Sequence, residues 1–125
     1  MIRAGLMAAA GVLLLGAGAA QAEGDAEAGE KVFNKCKACH NAEEAKNKIG
    51  PHLVGVVGRE AGSVEDYRYS SAMEESGITW DEETLSAYLA DPRGYVKGTK
   101  MAFAGLKKEE EVADVIAYLQ SVGGS

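Results

Sequence analysis

Cysteine is scarce in this chain: 125 residues contain two, Cys36 and Cys39, alongside two histidines and two prolines. Two thiols exclude a zinc site of four thiolates, and a mixed site needs two histidines besides, for which His52 is the only residue to spare. Strand patterning is also missing. No β-rich alternating run flanks the cysteines, as a thioredoxin-like βαβ unit would require. There is no internal repeat, no low-complexity tract and no convincing strand anywhere. Basic charge is short, with 13 Lys and Arg against 19 Asp and Glu, a formal net charge of -6 that argues against nucleic acid as a partner. A long, strongly apolar run is lacking as well. Ala4 to Ala20 carries no charge, but glycine and alanine dilute it, whereas a membrane anchor needs about 20 predominantly apolar residues.

That stretch reads instead as an export signal. Arg3 supplies a basic n-region, and Ala20-Gln21-Ala22 fits the small-x-small rule for cleavage after Ala22. The expected organisation is therefore a cleaved signal peptide over 1–22 and one mature domain over 23–125, exported to the periplasm. Removing Arg3 takes the net charge from -6 to -7. About a hundred residues are enough for one domain but too few for a generous apolar core.

The two cysteines belong to Cys36-Lys37-Ala38-Cys39-His40. C-x-x-C-H is the pattern of covalent haem c attachment. Two thiols on one side of a helical turn can each add to a haem vinyl group, and the following histidine is then held under the macrocycle, where its imidazole can bind iron. C-x-x-C by itself also serves redox disulfides and half of a zinc site, but neither use requires the histidine.

Helical periodicity organises the rest. Asp25 is a good N-cap for a helix running towards Cys36, with Gly29, Val32, Phe33 and Cys36 on one face. A mid-helix glycine costs about 1 kcal/mol against alanine, so Gly29 implies a close crossing. The expected partner is a last helix from about Lys108 to Val122, with Val112, Val115, Ile116 and Leu119 as its stripe and Tyr118 beside it. A third pattern, Leu85, Tyr88 and Leu89, follows Trp80 and is stopped by Asp91-Pro92. Glycine-rich loops fill the remainder. The fold class is all-α, one small domain of about three to five helices whose long loops wrap a covalently attached haem. Met73, Met101, His52 and several lysines are candidates for the second axial position, and Met101 is favoured because it sits in a loop between helices, Gly98 to Phe103. Lys35, Lys37, Lys46, Lys48, Lys97, Lys100, Lys107 and Lys108 gather near the motif or that loop, while acids crowd elsewhere.

The whole region after the signal resembles the class I c-type cytochromes, the small soluble cytochromes c of mitochondria and purple bacteria. The resemblance rests on Gly24-Asp25, Gly29 and Phe33, Cys36 to His40, Gly50-Pro51, Gly58-Arg59, Gly77 to Trp80, Tyr88 to Pro92, Gly98 to Met101 and Ile116 to Leu119. It implies the small cytochrome c fold, Cys36 and Cys39 as haem thioethers, and His40 and Met101 as axial ligands. The backbone carbonyl of Pro51 would accept a hydrogen bond from the other His40 nitrogen and so fix the ring. Arg59, Tyr69, Ser70, Trp80 and Thr99 match residues around the haem propionates. Tyr88 matches the tyrosine beside the methionine ligand, and Phe103 the ring at the haem edge. Three residues depart from the pattern: Lys97 stands where many relatives have proline, Met73 where mitochondrial members carry asparagine, and His52 where asparagine is common. His52 is read as surface or loop-bonding.

What this implies is a one-electron carrier, not an enzyme, with no small-molecule substrate and a monomeric state. Its partners would be membrane electron-transfer complexes of a respiratory or photosynthetic chain, such as a quinol–cytochrome c oxidoreductase as donor and a terminal oxidase or photosynthetic reaction centre as acceptor. Two other classes compete: a haem enzyme such as a peroxidase, which needs an open iron site, and a haem-free thiol-disulfide oxidoreductase.

Overall fold

A computed structural model describes residues 24–122; the expected signal segment, 1–22, lies outside the described residues. Among the described residues five helices follow one another: α1 (Ala26–Phe33), α2 (Ser71–Glu74), α3 (Glu82–Ala90), α4 (Pro92–Tyr95) and α5 (Glu109–Val122). Among the described residues there is no strand, only an isolated bridge between Glu60 and Thr79. No described helix is long and apolar enough to cross a membrane.

Local chemistry sets the helix ends. The Asp25 carboxylate accepts from the Glu27 N–H at 2.9 Å and starts α1. Helix α1 was expected to reach Cys36 but ends at Phe33. The cause is a tightening of the coil, in which Asn34, Lys35 and Cys36 donate to the carbonyls three residues back, Lys31, Val32 and Phe33. Helix α3 opens with a capping box, in which Asp81 accepts from the Thr84 N–H and Thr84 accepts from the Asp81 N–H, both at 2.8 Å. Pro92 both stops α3 and stands at the start of α4, where its missing N–H has no helical partner to lose. Three glutamates, Glu109 to Glu111, occupy the first turn of α5, the end where the helix dipole favours negative charge. Helices α2 and α4 have four residues each, too short for any periodic pattern to announce them.

The core lies where α1 crosses α5, with α3 packed on the same helix. Val32 and Phe33 from α1, Leu85 and Tyr88 from α3, and Val112, Val115, Ile116, Tyr118 and Leu119 from α5 are all buried. The Phe33 and Tyr118 rings meet at 5.4 Å. The crossing is close because two residues lack side chains. A Cβ at Gly29 would overlap the Asp114 carbonyl, and one at Gly24 the Ala113 carbonyl. The Asp25 N–H also donates to the Asp114 carboxylate at 2.8 Å, tying the start of α1 to the middle of α5.

Gly29→Ala separates propensity from packing. Alanine gains about 1 kcal/mol of helix propensity, but its methyl meets backbone that can yield only by parting the helices, at about 1–3 kcal/mol or more. The variant is expected to unfold at lower guanidinium concentration than the parent; an unchanged or higher midpoint would show that the crossing is slack.

Candidate functional site

The coil that continues from α1 carries Cys36, Cys39 and His40 through two further bonds, from the Cys39 N–H and the His40 N–H to the Cys36 carbonyl, at 3.1 and 3.0 Å. Both thiols are free and half-buried. Burial pushes the Cys36 thiol up to about 11, against the pull of the Lys35 charge. A thiol so placed is a poor thiolate nucleophile, the opposite of a redox-active C-x-x-C.

The three residues face a cavity of about 320 Å³. Its wall includes every residue singled out from the sequence as a haem contact: Cys36, Cys39, His40, Pro51, Arg59, Tyr69, Ser70, Trp80, Tyr88, Thr99, Met101 and Phe103. Aliphatic groups from the helices, the 50s loop and the segment before α5 complete it, among them Leu53, Val56, Leu85, Leu89, Leu106, Val115 and Leu119. Of the other axial candidates, Met73, Lys35 and Lys100 line the cavity, and His52 and Lys97 do not.

His40 is held on two sides. Its Nδ1 lies 2.7 Å from the Pro51 carbonyl oxygen, so the N–H is at Nδ1 and the lone pair at Nε2. Gly50 sits against the ring, where a Cβ would overlap it, and the Gly50 N–H donates to the Cys39 carbonyl at 2.8 Å. Burial lowers the His40 pKa, with the Pro51 bond opposing, so the ring is kept neutral and able to bind a metal.

Arg59 reaches the cavity from a turn that pairs with the segment before α3. The Trp80 N–H donates to the Arg59 carbonyl and the Ala61 N–H to the Ile78 carbonyl, both at 2.8 Å, which sets Trp80 beside Arg59. Two guanidinium nitrogens donate to the carbonyls of Val54 and His52, at 3.1 and 3.0 Å. The third, Nε, is buried with no partner. Among the described residues the one ion pair is Lys35 with Glu111, so the Arg59 charge has no carboxylate beside it. Burial works against that charge and lowers its pKa.

Three hydroxyls repeat this pattern of unspent donors. Tyr69 accepts from the Val64 N–H at 3.0 Å, and Ser70 accepts from the Met73 N–H at 3.1 Å as the cap of α2. The Thr99 oxygen accepts from the Met101 N–H at 3.3 Å and lies 2.7 Å from the Tyr88 hydroxyl. With Tyr88 as donor, all three keep an O–H to give. A mostly apolar cavity with one orphaned guanidinium N–H and three hydroxyl protons fits a large apolar group that bears carboxylates.

The profile of the family described as Cytochrome c matches residues 26–123. The chain belongs to the cytochrome c family. It is similar to cytochrome c-550 of Nitrobacter winogradskyi, 55% identical over 97 residues that cover 77% of this chain and 89% of that one. It is also similar to cytochrome c2 of Blastochloris viridis, 47% identical over 112 residues covering 88% of each. Among solved structures, cytochrome cH from Methylobacterium extorquens superposes with a TM-score of 0.75 at 52% identity, over 78% of this chain and 99% of that one. The fold is the small cytochrome c fold, as expected. The cofactor is covalent haem c, and the protein is an electron carrier, not an enzyme. The peroxidase and thiol oxidoreductase readings are thereby set aside.

Two of this cytochrome's departures from the family pattern have local accounts. His52 is a loop-organising residue: its N–H donates to Asn47 Oδ1 at 2.9 Å, and its Nδ1 accepts from the Val54 N–H at 3.2 Å. Met73 is buried in α2 and adds a flexible apolar wall. Tyr67 was not singled out in the sequence. It packs edge-on to Tyr69 at 4.8 Å and donates to the Ile49 carbonyl at 2.9 Å, closing one rim of the cavity. The alternation Tyr67-Arg68-Tyr69 was the available signal.

Partial burial, and secondarily the Arg59 charge, lower the His52 pKa below 6.5, so the fold prefers the neutral ring. Its contribution to stability is present above pH 6.5 and is lost as pH falls through the lowered value. His52→Asn is expected to give a shallower acid limb when the guanidinium midpoint is followed against pH. A limb as steep as the parent's would place the acid sensitivity elsewhere.

Proposed function

We propose that this cytochrome is a soluble periplasmic shuttle whose haem is joined to Cys36 and Cys39 and ligated axially by His40 Nε2 and the Met101 sulfur. The observation that carries the reading is the convergence of these four residues on one cavity whose free donors await carboxylates. Residues 1–22 act as a cleaved export signal, and residues 23–125 form the working domain. Pro51 orients the His40 ring and raises its basicity. Arg59, Tyr69, Ser70, Trp80 and Thr99 direct donors at the propionates, Tyr88 steadies the methionine loop through Thr99, and Phe103 covers the haem edge. The donor is a quinol–cytochrome c oxidoreductase, and the acceptor a terminal oxidase or photosynthetic reaction centre.

When bound, haem supplies a one-electron couple at its iron. The chain's part is to hold the surroundings constant while the charge changes. Pro51 and Gly50 hold His40 on two sides, which would limit movement of the ring when the charge changes. Met101 thioether and His40 imidazole as the two protein ligands would favour the reduced state and raise the potential. The aliphatic wall keeps water from the metal, and the lysines near the rim steer acidic partners.

Visible spectroscopy of the protein recovered from the periplasm tests this reading. Sharp α and β bands on reduction, and a weak far-red band on oxidation that is lost in Met101→Ala, are expected. The Cys36→Ala, Cys39→Ala double variant should yield little mature protein. If it accumulates folded and haem-free at the normal level, covalent attachment is not what the fold requires.

The methionine loop gives a second test. The Thr99 N–H donates to the Val96 carbonyl at 3.0 Å and Gly98 has φ 95°, a tight turn with Lys97 at the position where proline is favoured. Lys97 donates no backbone hydrogen bond, so Lys97→Pro removes none and should stabilise by about 0.4–1 kcal/mol. Lys100 lines the cavity beside Met101, and because an amine binds iron only when neutral, the far-red band should fade as pH rises. Lys97→Pro is expected to move that fading to higher pH; an unchanged or lower midpoint would refute the loop argument.

A further inference from the structure

Ile49 is the most exposed large apolar side chain of the described residues, at 74%, yet it belongs to the cavity rim. A lone exposed apolar residue is ordinary on a protein surface. Three features set this one apart. Its carbonyl accepts from the Tyr67 hydroxyl, and both chain neighbours are tied: the Lys48 N–H donates to the Gly50 carbonyl at 2.9 Å and the Gly50 N–H to the Cys39 carbonyl. Gly50 next to it leaves no room for a side chain against the His40 ring, where a Cβ would overlap it. The knob also stands among cations. Lys48 Nζ reaches the Lys37 carbonyl at 2.7 Å, Lys100 Nζ lies over the Tyr67 ring at 5.3 Å from its centroid, and Lys35 shares the rim.

A β-branched side chain on a fixed backbone loses little entropy when it is covered. Charges that ring it act at long range and bring a partner in, while the apolar contact acts only after docking. We propose that Ile49 is the apolar anchor of the docking face, inserting into a hydrophobic depression, rimmed by carboxylates, on a protein redox partner. This rests on the shuttle reading above. A lipid surface fits less well, since membrane binding scales with buried apolar area and one isoleucine offers little. A protein pocket can draw most of its binding energy from one such anchor.

The test uses the haem-bearing protein with a purified bacterial quinol–cytochrome c oxidoreductase, measuring KM and kcat for its reduction at low and at near-physiological salt. Ile49→Thr should raise KM by about threefold to tenfold at both salt concentrations, from the lost apolar burial. The spectrum, the potential and kcat should stay as in the parent, and Ile49→Leu should behave like the parent. Lys48→Gln should raise KM chiefly at low salt, where screening is weak. A parent that turns over while Ile49→Thr matches it overturns the anchor alone, as does a Leu variant as impaired as Thr or a Thr effect abolished by salt. A parent that the complex cannot reduce overturns the shuttle reading and the anchor together. Ile49-dependent binding to phosphatidylglycerol vesicles, or an Ile49-dependent dimer in sedimentation, would assign the knob to lipid or to a second copy and would also overturn the proposal.

Discussion

In a domain of about a hundred residues the hydrophobic core is small at best, and here the space between α1, α3, α5 and the loops is a largely apolar cavity of about 320 Å³. With nothing to cover it, that apolar wall would face water at a cost of about 25 cal/mol per Å². Whole domains are stable by only about 5–15 kcal/mol. The haem therefore completes the core as well as supplying the chemistry. The loops follow from the same constraint. They are long because they wrap a flat object, and Gly50 and Pro51 shape one of them where it packs against His40.

The rigidity of the site comes from neighbours that are themselves pinned. The α1–α5 crossing fixes the coil that carries Cys36 to His40, and Gly50 donates back to Cys39, so the histidine's support and the motif form one unit. On the opposite side, Asp81 and Thr84 start α3 and set Tyr88, whose hydroxyl meets Thr99, whose oxygen in turn receives the Met101 N–H. Each unit is tied by hydrogen bonds between separate segments of the chain, an arrangement suited to a carrier.

Charge and apolarity divide the surface in the same sense. The net charge is negative, but the rim of the cavity carries Lys35 and Lys100, with Lys48 beside the exposed Ile49. All three of these lysines also serve the fold. Lys100 donates to the Arg68 carbonyl at 2.6 Å, and Lys35 pairs with Glu111 at 3.5 Å. Lys48 likewise donates to the Lys37 carbonyl at 2.7 Å, so substituting any of the three alters a contact as well as a charge, and Ile49 is the rim residue whose side chain carries neither.

Much of this protein was legible in its residues. Helix periodicity announced α1, α3 and α5, because each buries a stripe at spacings of three and four; Asp25 and Asp91-Pro92 marked ends because their effects are local; and C-x-x-C-H named the cofactor because only one chemistry needs all three side chains together. Tertiary structure alone decided the rest. Helix α1 stops at Phe33 because the coil tightens towards the motif, and α2 and α4 are held by caps and packing over lengths at which periodicity has no meaning. That Arg59 keeps an orphaned N–H, that Thr99 links Tyr88 to the methionine loop, that His52 turns away from the cavity and that Ile49 stands exposed at its rim are facts about residues far apart in the chain. Such relations depend on which loops meet around the cavity, and local propensity carries no information about that meeting.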